Sequence, residues 1–361
     1  MARDYSQFLP SAHSADKANR ARSHLQSLGW QPFFAQQTSI DAMTITPPVR
    51  VVEVHRNGLH VLGDQIDTTI PPGPEATVGD WLLYDADRPT ASSVLRRKSL
   101  FKRKAPGTDR KLQLIAANVD TVFVVTSCNQ DFNVARLERF VAMAFDADVT
   151  PVIVLTKTDL CPDTSPYIDA ANAISDRIDV VELNALTTEP AERLSYWCKP
   201  EQTVAFLGSS GVGKSTLINA LYGAEEASTA GIREDDSKGR HTTTRRQLHF
   251  VPQGCAVLDT PGMRELQLTD AEDGIANLFE DLTQLARECR FNDCKHESEP
   301  GCAILEGLET GVVDPARLAR WRKLAAEERF NSASLAERRA KDKSFGKMVR
   351  SVIKEKQKTK R

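Results

Sequence analysis

The spacing of apolar positions changes along the chain, and each change predicts a different kind of structure. Residues 1–42, an N-terminal extension, carry one amphipathic stretch, Ala18 to Leu28, and no chemistry. From Val49 the pattern shortens to β-type runs, RVVEVH, LHVLG, DWLLYD and SSVLRR. An Asn57-Gly58 turn, PPGP and Val78-Gly79 separate them. Asn-Gly between alternating apolar runs signals a hairpin. Several short strands in one segment predict a small β-barrel over 43–111, with the OB fold as the candidate. From Val119 the runs become almost continuously apolar: TVFVV, PVIVLT, VAFLG and CAVLD, with helical patterns such as ARLERFVAMAF between them. Strands hidden on both faces and alternating with helices predict a parallel sheet, here over 112–268. Beyond Leu266 the pattern is mainly helical. It predicts a module at 269–315, interrupted by a Cys/His cluster, and a charged helical tail at 316–361.

The loops that end the apolar runs carry the candidate chemistry. Gly208 to Thr216, GSSGVGKST, fits the phosphate-loop pattern G-x-x-x-x-G-K-[ST], with a strand before it and a helix after it. Gly208, Ser209, Ser210, Gly211, Val212 and Gly213 would turn backbone N–H groups toward phosphate oxygens. Lys214 would reach the β- and γ-phosphates, Ser215 would offer a hydroxyl to Mg²⁺, and Thr216 continues the loop into the helix. VLDTPG places Asp259 at a strand end, where it can hold Mg²⁺ through water, and Gly262 where its N–H can approach the γ-phosphate. Thr156, Lys157, Thr158 and Asp159 end another apolar run. A carboxylate at Asp159 pairs with guanine N1–H and the exocyclic amino group, whereas adenine leaves it unpaired. The Lys157 stem can pack across the base. This base-reading segment precedes the phosphate loop in the chain, the reverse of the usual order. In parallel sheets the ligand loops sit at the carboxyl ends of the strands. Joining the old termini and cutting elsewhere therefore leaves those loops in place.

Composition narrows the setting. Of 361 residues, 40% are hydrophobic and 27% charged, which is globular composition, and the length favours two or three domains. No signal peptide or membrane-spanning run is visible, and seven cysteines without even spacing do not read as a disulfide framework. A cytoplasmic protein with no membrane partner is expected. Cys128, Cys161, Cys198 and Cys255 read as core residues. The net charge of −2 is uneven, because Ala316–Arg361 holds 16 Lys/Arg against 5 Asp/Glu. Such a tail is either a polyanion-binding arm or a solubilising segment. The basic stretch RRKSLFKRKA, with Phe101 as an exposed stacking residue, likewise suits nucleic acid or a merely charged loop. Cys289, Cys294, His296 and Cys302, four ligand-type residues within 14, favour one tetrahedral Zn²⁺ over a few buried thiols.

The order of TKTD, GSSGVGKST and DTPG resembles the circularly permuted GTPases. With the N-terminal barrel, GRHTTT (Gly239–Thr244) and the Cys/His cluster, residues 45–310 resemble the RsgA (YjeQ) family, the ribosome small-subunit-dependent GTPases. The resemblance implies a multidomain chain: an OB-fold barrel, a central α/β circularly permuted P-loop GTPase domain, and a mainly helical zinc-binding domain. It implies GTP and GDP as ligands, Mg²⁺, one structural Zn²⁺, and the small (30S) ribosomal subunit with its 16S rRNA as partner. A monomer is expected. In the family's first switch, His241 would position or deprotonate the attacking water, and Thr242 or Thr243 would meet Mg²⁺; alternatively His241 is an exposed loop residue without catalytic duty. Two features depart from the family. Thr156 stands where Asn is more common, which loses an amide that would touch the base or brace the phosphate loop and predicts weaker nucleotide binding. The guanine-sealing loop near Asn184-Ala185-Leu186 is a poor match. Met263 follows DTPG where many GTPases carry a water-orienting Gln, so turnover without a partner should be slow. Two other readings follow from the residues: an RNA-binding scaffold with negligible turnover, and a P-loop ATPase or small kinase, against which Asp159 argues.

Overall fold

The structure is a computed structural model that describes residues 23–104, 112–222, 246–251, 254–259, 268 and 270–332. Its strands are β1 (Pro48–His55), β2 (Gly58–Gly63), β3 (Ile66–Ile70), β4 (Trp81–Leu83), β5 (Ser93–Val94), β6 (Leu100–Lys104), β7 (Leu112–Ala117), β8 (Thr121–Ser127), β9 (Thr150–Thr156), β10 (Asp179–Glu182), β11 (Thr203–Leu207), β12 (Arg246–Phe250) and β13 (Ala256–Asp259). The helices are α1 (His24–Ser27), α2 (Pro32–Ala35), α3 (Ile40–Ile45), α4 (Val134–Asp146), α5 (Ser165–Asn172), α6 (Glu189–Arg193), α7 (Lys214–Tyr222), α8 (Glu272–Leu278), α9 (Glu280–Arg287), α10 (Ala303–Glu309) and α11 (Pro315–Ser332).

The strands β10, β9, β8, β11 and β13 lie side by side in that order and run parallel. Every residue of β8 and β11 is buried, as the unbroken apolar runs predict for strands covered on both faces. The strand β12 pairs antiparallel with β13 and carries the sheet into the β-rich N-terminal segment. There β1 is the hub. Along one edge it pairs with β2, and along the other it pairs with β4 near its start and with β12 through Glu53 and Val54. The β1–β2 turn is Arg56-Asn57, one residue before the predicted Asn57-Gly58, with Gly58 opening β2 opposite His55. Among the described residues β3 pairs with β2 alone. The β6–β7 hairpin, with Leu100 opposite Ala117 and Lys104 opposite Leu112, straddles the change of domain expected between residues 111 and 112.

Two expectations are corrected by packing. Phe101 is 3% exposed and belongs to the main core with Ile115 and Val141, so it offers no face for stacking a base. Its charged neighbours Lys102 and Arg103 are half-buried and follow an irregularity in the strand register between Phe101 and Lys102. The first part of the basic tail is also not a free arm. Arg317 in α11 donates to both carboxylate oxygens of Asp281 at 2.8 Å, and Arg320 donates to both oxygens of fully buried Glu138 in α4 at 2.8 Å. Arg322 donates to the carbonyl of His296. These cations fasten α11 to the fold; residues 333–361 lie outside the described residues.

The N-terminal segment is structural as well. Leu28, Trp30 and Phe34 pack with Trp81 and Leu95, the Trp30 and Trp81 rings meeting edge to face at 4.8 Å. Beneath them Arg50 of β1 is 1% exposed and donates to the carbonyl of Leu28 and to Thr203 Oγ1 at 2.6 Å. Burial lowers its guanidinium to about 10, opposed by Asp120 and Asp80. One side chain thus ties the N-terminal segment, β1 and the start of β11 together.

Candidate nucleotide site and metal centre

The sheet order resolves the reversed motif order. The loops after β10, β9, β11 and β13 all leave the same edge of the parallel sheet. Along that edge lie, in turn, the Asn184–Leu186 segment, TKTD, the β8–α4 loop, the phosphate loop and the end of β13. A base over β9 and phosphates over β11 and β13 would therefore span the edge, whatever the order of the segments in the chain.

The phosphate loop runs from β11 into α7. Gly208 has φ +150°, and a side chain there would strike the carbonyl of Val125 in β8; Gly213 has φ +97°. Both positions exclude ordinary L-residues. Ser210 and Gly211 are exposed at the loop's crest, where phosphate oxygens would meet backbone N–H groups. Lys214, 8% exposed, donates from Nζ to the carbonyl of Gly208 at 2.9 Å and to that of Ser209, so its ammonium is held inside the loop. Ser215 and Thr216 form the first turn of α7, whose free N–H groups favour anions.

The TKTD segment is fastened to this loop. Thr156 is fully buried, and its hydroxyl donates to the carbonyl of Val212 at 2.6 Å, with the carbonyl of Thr126 at 3.1 Å. The brace expected to be lost with the Asn side chain is therefore supplied by the Thr156 hydroxyl. Lys157 takes a left-handed conformation, φ +57°, at the end of β9. Thr158 and Asp159 form the tight turn that follows, and Asp159 is exposed. Asn184 donates its N–H to Glu189 Oε2 and accepts the N–H of Leu186 at Oδ1, which fastens the loop after β10. Asp259 ends β13 opposite Gln247. His241, Thr242, Thr243, Gly262 and Met263 lie outside the described residues.

Sequence reasoning missed Arg136. It stands in the first turn of α4 and donates from Nη1 to Ser209 Oγ at 2.7 Å. The available signal was its position, three residues after an Asn133 helix cap, behind a strand lying between two ligand-bearing strands.

The four metal-ligand candidates converge. One donor atom from each of Cys289, Cys294, His296 and Cys302 lies within 4.8 Å of all the others. The Cys289 and Cys302 sulfurs are 3.8 Å apart, and His296 Nδ1 is 3.5 and 3.4 Å from them. A tetrahedron with metal–sulfur bonds of about 2.3 Å has edges of about 3.8 Å, so the spacing fits a tetrahedral metal such as zinc. Two of the four ligand pKa shifts favour a metal, those of Cys289 and His296. Burial raises the Cys289 thiol, but amide hydrogen bonds from Ala303 and Ile304 outweigh it and leave the pKa below the ordinary value. Burial, and then Arg322, lower that of His296, favouring the neutral imidazole a metal needs. Burial and shared contacts with Cys302 and Cys289 push Cys294 up to about 11. His296 itself has φ +60°, held by the Arg322 bond from α11. Of the thiols read as core, Cys128, Cys198 and Cys255 are buried and Cys161 is half-buried.

Relatives agree with this arrangement. A profile of the RsgA GTPase family matches residues 94–269. The chain is 48% identical over 337 residues to the small ribosomal subunit biogenesis GTPase RsgA 2 of Vibrio parahaemolyticus, covering 92% of this chain and 94% of that one. It is 47% identical over 316 residues to the RsgA of Mesorhizobium japonicum, covering 85% and 91%. The chain belongs to the RsgA GTPase family. The family's chemistry is GTP hydrolysis. Among solved structures, YjeQ from Thermotoga maritima superposes with a TM-score of 0.56 at 26% identity, covering 77% of this chain and 96% of that one. YloQ, a circularly permuted GTPase, does so at 0.54 and 22% identity, covering 80% and 96%, a likeness of fold. An ABC transporter profile also matches residues 191–353, which contain the same phosphate loop; the near full-length RsgA relatives decide between the two. Among the described residues no helix is long and apolar enough to cross a membrane.

Proposed function

We propose that this chain hydrolyses GTP to GDP while bound to the small ribosomal subunit, and assists the subunit's late maturation. The observation that carries the reading is the joining of base reader and phosphate loop through Thr156, in a chain nearly half identical to named small-subunit biogenesis GTPases. In this reading Asp159 accepts from guanine, Lys157 packs across the base, and residues 208–216 hold the phosphates. Ser215 and Asp259 would hold Mg²⁺, which when bound neutralises charge on the phosphate oxygens. Thr242 or Thr243 joins them, and the N–H of Gly262 approaches the γ-phosphate. Lys214 exchanges its loop carbonyls for phosphate oxygens. His241 orients or deprotonates the attacking water, because Met263 cannot.

The Cys289–Cys294–His296–Cys302 centre holds one structural zinc that fixes the loop against α11. The β-rich segment is an OB-type unit from residue 43 with β7 as its last strand, so its limit is drawn at Ala117. Residues 1–42 are the extension, of which Leu28, Trp30 and Phe34 pack against Trp81; the GTPase domain follows to 268, and the zinc module runs on through α11 to the tail. The partner is 16S rRNA within the subunit, the protein is a cytoplasmic monomer, and no membrane is involved. The cations available to rRNA exclude Arg317, Arg320 and Arg322, which are committed within the fold.

Co-sedimentation with purified 30S subunits tests the reading. The chain should pellet with 30S in a non-hydrolysable GTP analogue and be released in GDP. His241→Ala should still pellet yet lose most 30S-stimulated turnover. Equal binding in both nucleotides would remove the timing role.

A further inference from the structure

The phosphate loop is held at two points by side chains that no phosphate-loop pattern contains. Thr156 holds the carbonyl of Val212 from β9. Arg136 holds Ser209 from α4, the helix that follows β8. Ser209 therefore sits between two cations, Arg136 on its hydroxyl and Lys214 on its carbonyl. The mounting of Arg136 is firm. Its own N–H is received by Asn133 Oδ1 at 3.0 Å, and α4 is anchored by the buried side chains of Leu137 and Val141 and by the Glu138–Arg320 pair. Between the two ties lie Ser210 and Gly211, both exposed, with Gly211 at φ +78°. A glycine-rich loop has many conformations to lose on binding, and fixing both of its shoulders removes part of that loss in advance.

We infer that Arg136 is a positioning residue: through Ser209 Oγ it pre-shapes the phosphate loop for both GDP and GTP, without itself touching the phosphates. This rests on the nucleotide reading of the loop. It makes two predictions that a direct phosphate contact would not: removing the Ser209 hydroxyl should reproduce the loss of Arg136, and the loss should not distinguish GDP from GTP.

The test uses the full chain and fluorescent GDP and GTP. Arg136→Ala and Ser209→Ala should each weaken both nucleotides about three- to tenfold, the range of one net hydrogen bond. The double variant should be no weaker than either single one, since both remove the same tie. In turnover, KM should rise while kcat at saturating GTP stays at the wild-type value, and Arg136→Lys should recover part of the loss. Arg136 is exposed, so thermal melts should be unchanged. Wild-type binding by Ser209→Ala beside a weakened Arg136→Ala would overturn the inference in favour of direct contact. So would a lower kcat, a loss confined to GTP, or no loss at all. Lys214→Ala is the control for the site itself: if it still binds nucleotide normally, the phosphate-loop reading fails instead.

Discussion

Replacing Thr156 by Val tests the link between base reader and phosphate loop with the least change of shape. Valine keeps the branched outline in a site with no exposure and deletes only the hydroxyl. The carbonyl of Val212, which accepts that hydroxyl at 2.6 Å, loses its donor in a place where the replacement methyl blocks water. One net hydrogen bond gives about 1–1.5 kcal/mol, or about five- to twelvefold in Kd if the whole effect reaches nucleotide binding. A desolvated carbonyl with no partner can cost about 3 kcal/mol, which sets the upper limit. Some of this would appear as lowered stability of the free protein, because the bond is already made without nucleotide. The assay is therefore paired: dissociation of a fluorescent GDP, and urea denaturation of the nucleotide-free chain. The two losses together should reach about 1–3 kcal/mol, with Thr156→Ser close to wild type. If Thr156→Val leaves both Kd and midpoint unchanged, the hydroxyl is no brace, and the site tolerates the missing Asn for another reason.

Further outcomes follow from the same geometry. Asp159→Asn should lose guanine preference, read as the ratio of GTP to ATP affinity; an unchanged ratio would mean that TKTD does not read the base. Arg320→Ala leaves the buried Glu138 carboxylate without its cation and should destabilise by about 3–5 kcal/mol in denaturant melts, whereas Arg320→Ala with Glu138→Gln should recover much of it. Burial, with Asp273, Asp270 and Asp148 nearby and Lys102 opposing, raises Asp146 to about 6. Its folded pKa lies above the unfolded value, so the native state holds the extra proton between about pH 4 and 6 and stability should fall as pH rises through that window. Asp146→Asn should therefore stabilise the protein at pH 7 and have little effect below pH 4, measured by melts across pH.

The core strands and the Cys/His cluster were legible because each is written in contiguous residues. TVFVV and VAFLG became fully buried parallel strands, and the Cys/His residues predicted to share a metal do converge. What stayed hidden depends on pairs distant in the chain. Arg136 and Ser209 are 73 positions apart, Thr156 and Val212 are 56 apart, and Arg320 and Glu138 are 182 apart. No local pattern marks such partners. The same cause explains the misreadings. Phe101 has basic neighbours in sequence but Ile115 and Val141 in space, and the tail's first arginines look free until Asp281, Glu138 and His296 are found beside them. The extension showed no chemistry in sequence, and its role as a seal on Arg50 and Trp81 appears only once β1 and β11 are adjacent.

The most direct measurement of the central claim is the single-turnover GTPase rate of the full chain, alone and with purified 30S or 50S subunits, at low and moderate salt. The account predicts slow turnover alone, and stimulation by 30S of about 10³–10⁵-fold if the catalytic arrangement is completed in trans. That stimulation should weaken with salt and be absent with 50S. A rate that is fast without subunits, or unchanged by 30S, would contradict it.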